Sequence, residues 1–189
     1  MKRYALIIFL FLPLIFSGCL RTYYPLSHAL AQSPIIFETD TTSNYLSKYI
    51  SVDMTETDGN YENERVTIMR GSFSTASTTD HTNTNLELFS YYGNYKVVGV
   101  SNEFDGQKNG FGIGGILKFA LNFKVNNVKF GGGINCGLEN EFGEYIDFIQ
   151  SAGKEGLIEN KKQFNGIVSI FPFVAIRLSP STILSAQIN

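Results

Sequence analysis

The chain has 189 residues, a length that suits one domain, and a formal net charge of −2, which argues against nucleic acid as a partner. Charged residues make up only 17% of it, while aromatics reach 14% and glycines number 18. That composition belongs to β-barrels more than to helical enzymes.

The opening residues have the layout of a processing signal. Met1-Lys2-Arg3 is a positive start, followed by the apolar run 4–16 and then Ser17-Gly18-Cys19. The run is shorter than the ~20 residues a membrane-spanning helix needs, and it fits a secretory signal peptide. Ile15-Phe16-Ser17-Gly18-Cys19 resembles the lipobox of bacterial lipoproteins, although Phe16 departs from the Leu usual three residues before the Cys. The resemblance implies cleavage before Cys19 and lipidation of Cys19. Leu20, rather than Asp, follows it, which by the same resemblance implies passage to the outer membrane. An ordinary signal peptide with a chance cysteine is the blander alternative. The expected organisation is a signal peptide over 1–18, a lipidated Cys and tether over 19–33, and a β-barrel domain over 34–189. With Cys19 lipidated, Cys136 has no disulfide partner in the chain and reads as a small hydrophobe.

The tether is polar and aromatic, without periodicity, and holds Pro25 and a lone His28. A first strand is expected over 34–39 and another over 48–55, where Ile50, Val52 and Met54 fall in phase. Glu56 to Glu64 collects acids and turn residues. A calcium loop fails on spacing: setting Gly59 on the EF-hand glycine puts Met54 at the first ligand position and Arg65 at the last. A solvated loop is expected there. Arg65 to Thr75 reads as a strand, with Val66 and Ile68 opposite Met69 and Phe73. Ser74 to Asn85 is polar and of low complexity, and reads as a mobile loop. His81 within it lacks Cys or His companions for zinc. Leu86 to Tyr92 and Tyr95 to Asn102 form a candidate hairpin about Gly93-Asn94. Its tyrosines suit a membrane-interface belt and suit ordinary cross-strand pairing equally. A connecting loop follows over 104–110.

The strongest signal runs from Phe111 to Leu138. Phe111, Ile113, Gly115, Leu117, Phe119, Leu121, Phe123 and Val125 alternate with Gly112, Gly114, Ile116, Lys118, Ala120, Asn122 and Lys124. After Asn126-Asn127 the phase flips: Val128, Phe130, Gly132, Ile134, Cys136 and Leu138 alternate with Lys129, Gly131, Gly133, Asn135, Gly137 and Glu139. Strict period two marks a strand with two unlike faces. Asn tolerates positive φ, so Asn126-Asn127 suits a two-residue turn. That turn sets Val125 against Val128, Phe123 against Phe130, Phe119 against Ile134 and Leu117 against Cys136. No helix pattern follows Gly112 and Gly114-Gly115, which separates them from a nucleotide-binding fingerprint. Beyond the hairpin, Glu141 to Ala152 reads as a strand end plus a short helical turn, and 153–163 as a charged loop. Phe164 to Leu178 is a long strand with a bulge or bend expected at Pro172, and Thr182 to Asn189 is the last strand.

The fold class expected from this pattern is all-β, an antiparallel up-and-down β-barrel of about eight strands. The central hairpin carries 12 non-glycine apolar residues on one face. At ~100 Å² each they make a patch near ~1,200 Å², against the ~300–600 Å² a soluble monomer exposes. Either a protein core or lipid must cover it. The other face is small and polar, which favours apolar outside and polar inside, the transmembrane pattern. Phe111, Ile113, Leu117, Phe119, Leu121, Phe123, Phe130 and Ile134 are then lipid-facing, and Lys118, Lys124, Lys129 and Glu139 line the lumen. The C-terminal Ala186-Gln187-Ile188-Asn189 lacks the final aromatic usual in outer-membrane barrels.

Taken whole, the chain resembles small lipid-anchored outer-membrane β-barrel proteins of Gram-negative bacteria. The resemblance implies an outer-membrane location, anchored by lipid at Cys19, with membrane lipid as partner and a structural or interaction role. The alternative is a lipocalin-like lipoprotein carrying a hydrophobic ligand inside a soluble barrel. No catalytic motif, metal-ligand set or cofactor signature is present in the sequence, so no enzyme is expected.

Overall fold

The structure, a computed structural model, describes residues 21–29, 45–79, 81–159, 164–179 and 182–187. Within them seven strands follow in order: β1 (Tyr45–Asp58), β2 (Arg65–Thr78), β3 (Thr82–Val97), β4 (Gly106–Val125), β5 (Val128–Phe142), β6 (Phe164–Ser179) and β7 (Thr182–Gln187). Each pairs antiparallel with the next, in a single sheet that curls into half a barrel. Among the described residues the one α-helix is α1 (Glu144–Lys154), and a 3-10 turn covers Leu26–Ala29. The chain is thus all-β with up-and-down connectivity. The strand expected over 34–39 lies outside the described residues.

The central hairpin has the register its alternation dictates. Val125 pairs with Val128, Phe123 with Phe130, Phe119 with Ile134 and Leu117 with Cys136. Asn126 turns the corner at φ 54°, a left-handed conformation that Asn accepts at little cost. At the other end of β5, Gly143 at φ 108° lets the chain leave the sheet and enter α1. That helix is longer than the short turn its sequence suggests. It buries Tyr145, Ile146, Phe148, Ile149 and Ala152, and its first turn carries Glu144 and Asp147, where acids suit the helix dipole.

Three expectations are corrected. Ser74 to Asn85 is mostly strand: β2 runs to Thr78, β3 starts at Thr82, and Ser72, Ser74, Thr78, Asn83 and Asn85 are buried. A strand whose inward side is polar needs no apolar residue on that side, so low hydropathy misreads it as loop. Gly93-Asn94 is no turn, because β3 passes straight through it, pairing Gly93 with Ile68 and Gly110. A Cβ at Gly93 would lie 3.0 Å from Ile68 and 3.2 Å from Leu26, so this glycine serves close packing. Finally, the β5–β6 ladder continues through Gly132 and Pro172 without a shift; the irregularity of β6 falls at Arg177/Ser179, in its pairing with β7.

Interior side chains stand in level rows. One row reads Ala76, Asn85, Lys118, Asn135, Ser169 from β2 to β6; the next reads Ser74, Glu87, Ile116, Gly137, Ile167. Glycines and aromatic rings face each other across the same sheet: Gly112 with Tyr91, Gly114 with Phe89, Gly133 with Phe171 and Gly131 with Phe173. A Cβ at Gly114 or Gly133 would come within 2.5 Å of the partner ring. These glycines make room chiefly for rings.

The two ends of the sheet differ. At one end the strands are joined by 79–81, 126–127 and 180–181, each two or three residues long; this is the hairpin end. The other is joined by 59–64, 98–105 and the longer stretch 143–163 that holds α1. Arg21–Ala29 also packs at this cap end. The main apolar cluster lies here, built from Tyr23 and Leu26, from Val66, Ile68, Tyr95 and Val97 on strands, and from Tyr145, Phe148 and Ile149 on α1.

Candidate membrane interface and charged interior

The outward face is apolar along its length. Phe111, Ile113, Leu117, Phe119, Leu121, Phe123, Phe130 and Ile134 are all exposed, from 40% at Phe119 to 63% at Phe123. Leu86, Leu88, Phe73, Met69, Ile50, Val52, Val168 and Ile170 extend the same face across β1, β2, β3 and β6. Cys136 is exposed within it.

The inward face holds the charges. Lys118 is 1% exposed, Glu139 2% and Lys129 8%. Lys124, expected in the lumen beside them, is exposed instead. It pairs with Lys129 next to the Asn126-Asn127 turn, where β4 reaches the rim and a lysine finds water. Cys19 lies outside the described residues. His28 falls in the 3-10 turn, and His81 is exposed at the hairpin end.

Glu87 organises the interior. Lys118 Nζ donates to Glu87 Oε2 at 2.6 Å, and Arg70 donates to Oε1 of the same carboxylate. The Arg70 guanidinium also lies 4.6 Å from the Phe89 ring centroid, within cation–π range. All three ionic groups are buried. Such a cluster is tolerated because its charges face one another. The sequence held a signal for it: Glu87 sits between Leu86 and Leu88, in phase with Asn83 and Asn85.

A second set of carboxylates fastens the N-terminal segment. Glu64, 1% exposed, accepts from Tyr23 Oη at 2.7 Å, Tyr95 Oη at 2.6 Å, Tyr61 N at 3.1 Å and Val98 N at 3.2 Å. Glu141 accepts the backbone N–H of Leu26, 3.2 Å from each oxygen, and Glu139 accepts from Ser27 Oγ. Tyr145 Oη donates to the Tyr24 carbonyl at 2.7 Å. Arg21 donates to the Val98 carbonyl at 2.7 Å and stacks over Tyr61. Burial, then the bond to Glu64, pushes the Tyr23 phenol well above its usual range. Residues 21–29, expected as part of a free tether, are therefore built into the cap. The Glu56–Glu64 stretch spends its last carboxylate on these donors, and among the described residues no group of three or more His, Cys, Asp or Glu is placed to hold a metal ion.

The 98–105 connection is also ordered from within. Asp105 accepts the N–H groups of Gly99, Val100 and Ser101 at 2.8, 2.9 and 3.2 Å. These bonds, that from Gly99 first, hold its carboxyl below the usual range.

The class that these elements define is an all-β, barrel-like antiparallel sheet with its polarity reversed, apolar outside and charged within. No protein-family model, curated protein or solved structure matches the chain.

Proposed function

We propose that the protein is a lipid-anchored outer-membrane β-barrel protein, held by acyl chains on Cys19 and by its apolar outer face, with a structural or interaction role and no catalytic one. One observation carries this reading: Phe119 and its row face outward while Lys118, directly beside it on β4, is buried. A water-soluble barrel has the opposite need, an apolar interior and a wet exterior. A carrier of hydrophobic ligands would need apolar walls around its cavity, whereas the interior rows hold Asn85, Glu87, Lys118 and Asn135. The outward face, with ~100 Å² per large side chain, far exceeds what a soluble monomer leaves bare. Buried charges facing one another make a packed interior, and no pore is part of the reading.

Extraction tests this directly. Cys19→Ala is expressed behind a working, non-lipoprotein signal peptide, and membranes are washed with carbonate and then with detergent. The embedded reading expects the variant in the detergent fraction alone. Recovery as a soluble protein would overturn it in favour of a tethered ligand carrier.

A further inference from the structure

We propose that the hairpin end of the interior is a binding site for a phosphate group, formed by Lys124, Lys129 and Arg177 around the side-chain amide of Asn122. The site needs only the register and the inward phase of β4, β5 and β6, and does not depend on the embedded reading. Lys124 and Lys129 pair directly across β4 and β5, so both leave the sheet on one face, where Lys129 is buried. Like charges set opposite each other in an antiparallel pair repel. Lys129 also pairs with Ala175 on β6, and Arg177 follows on the same side of that strand, in phase with the buried Phe171, Phe173 and Ala175. The Arg177 N–H donates to the Asn127 carbonyl at 2.8 Å, which holds β6 against the turn between the two lysines. Three neighbouring strands thus bring three cations to one mouth. From this mouth back to Glu87, the sequences of β3 to β7 carry no carboxylate.

A second observation lies one step deeper. Asn122 shares the inward phase of β4 with Lys118 and Lys124, and it is 1% exposed. It faces Gly131, two residues along β5 from Lys129. Among the described residues neither polar atom of its side-chain amide has a hydrogen-bond partner. A buried amide left unpaired is costly, and its N–H groups call for an acceptor brought from outside. The donor set selects the ligand. A guanidinium takes a phosphate through two parallel N–H bonds, and an ammonium acts on it as a point charge. An anion with several oxygens can therefore engage all four side chains, whereas a single-atom anion cannot use the guanidinium fork. Free phosphate and the phosphate of a lipid headgroup present the same oxygens, so the chemistry defines the group and leaves its source to experiment.

Calorimetric titration of the full-length protein with inorganic phosphate, in micelles of a zwitterionic detergent, tests this. Sodium chloride at matched ionic strength is the reference. The expected result is saturable binding of one phosphate per chain, with no comparable response to chloride. Lys124→Gln and Arg177→Gln should each weaken binding about tenfold, the loss of one hydrogen bond to a charged group. Asn122→Leu should weaken it as well. Lys124 is exposed at the rim, so its exchange leaves the interior packing intact and its result is decisive. Micelles doped with phosphatidylglycerol then separate the two sources. Displacement of inorganic phosphate by the doped lipid assigns the site to a headgroup, and undiminished binding assigns it to soluble phosphate; both outcomes uphold the site. A phosphate response no larger than that of chloride overturns it, as does parent-like affinity in Lys124→Gln.

Discussion

Replacing Glu87 by Gln tests the charged interior most sharply. The change keeps shape and removes the carboxylate charge that Arg70 and Lys118 share. At 2.6 Å the Lys118–Glu87 pair attracts by roughly 6 kcal/mol in an effective dielectric of ~20. Arg70 loses a similar partner, and the two cations then repel across the gap. Much of this is offset because desolvation was costly in the parent, so the net loss expected from breaking a buried pair is ~3–5 kcal/mol. Lys118→Met should cost less, since Glu87 keeps Arg70. The chain has no Trp, so urea unfolding in detergent micelles is followed by circular dichroism and by the gel mobility of folded against heated samples. If Glu87→Gln unfolds within ~0.5 kcal/mol of the parent, the level of an ordinary surface change, the cluster does not hold the interior together and the reasoning fails.

Phe119→Arg, on the outward row, should cost ~2–4 kcal/mol in a bilayer and close to nothing if that face is wet; folding yield into liposomes separates the two. Gly133→Ala should destabilise by ~1–3 kcal/mol through overpacking, because its Cβ would meet the Phe119 carbonyl and the Phe171 ring at 2.5 Å. Gly166→Ala, with nothing within 4 Å, should be neutral, and equal melting of the two variants would refute the ring-on-glycine packing. The Asp105 carboxyl titrates below its unfolded value, so its support for the 98–105 loop is present at neutral pH and is lost only as pH falls through that lowered value. Amide protection at Gly99, Val100 and Ser101 should persist from neutral pH down through pH ~4 and should be absent at neutral pH in Asp105→Ala.

How much of this was legible in the sequence depends on which face a strand turns inward. The strand pairing of Phe111 to Leu138 could be read, register included, because one side is continuously apolar and the turn is two residues long. β2 and β3 were harder. Ser74, Thr78 and Asn83 look like loop residues until an inward polar side is granted, and Gly93-Asn94 looks like a turn until Leu26 is known to fill the gap above Gly93. The cap was illegible for another reason. Glu64, Glu139 and Glu141 act on Tyr23, Ser27 and Leu26, which are distant in sequence, and nothing local announces such partners. Lys124 went wrong because alternation gives a side of the strand but not how far along it the wall ends.

The rings seated on glycines also leave a mark that other sequences can be searched for. Tyr91, Phe89, Phe171 and Phe173 each occupy volume that a neighbour has given up. A descendant that trims one of these aromatics to a small side chain frees the matching glycine to grow, and one that enlarges the glycine first must trim the ring. Exchanges at 91 with 112, 89 with 114, 171 with 133 and 173 with 131 should therefore travel in couples through any lineage carrying this sheet.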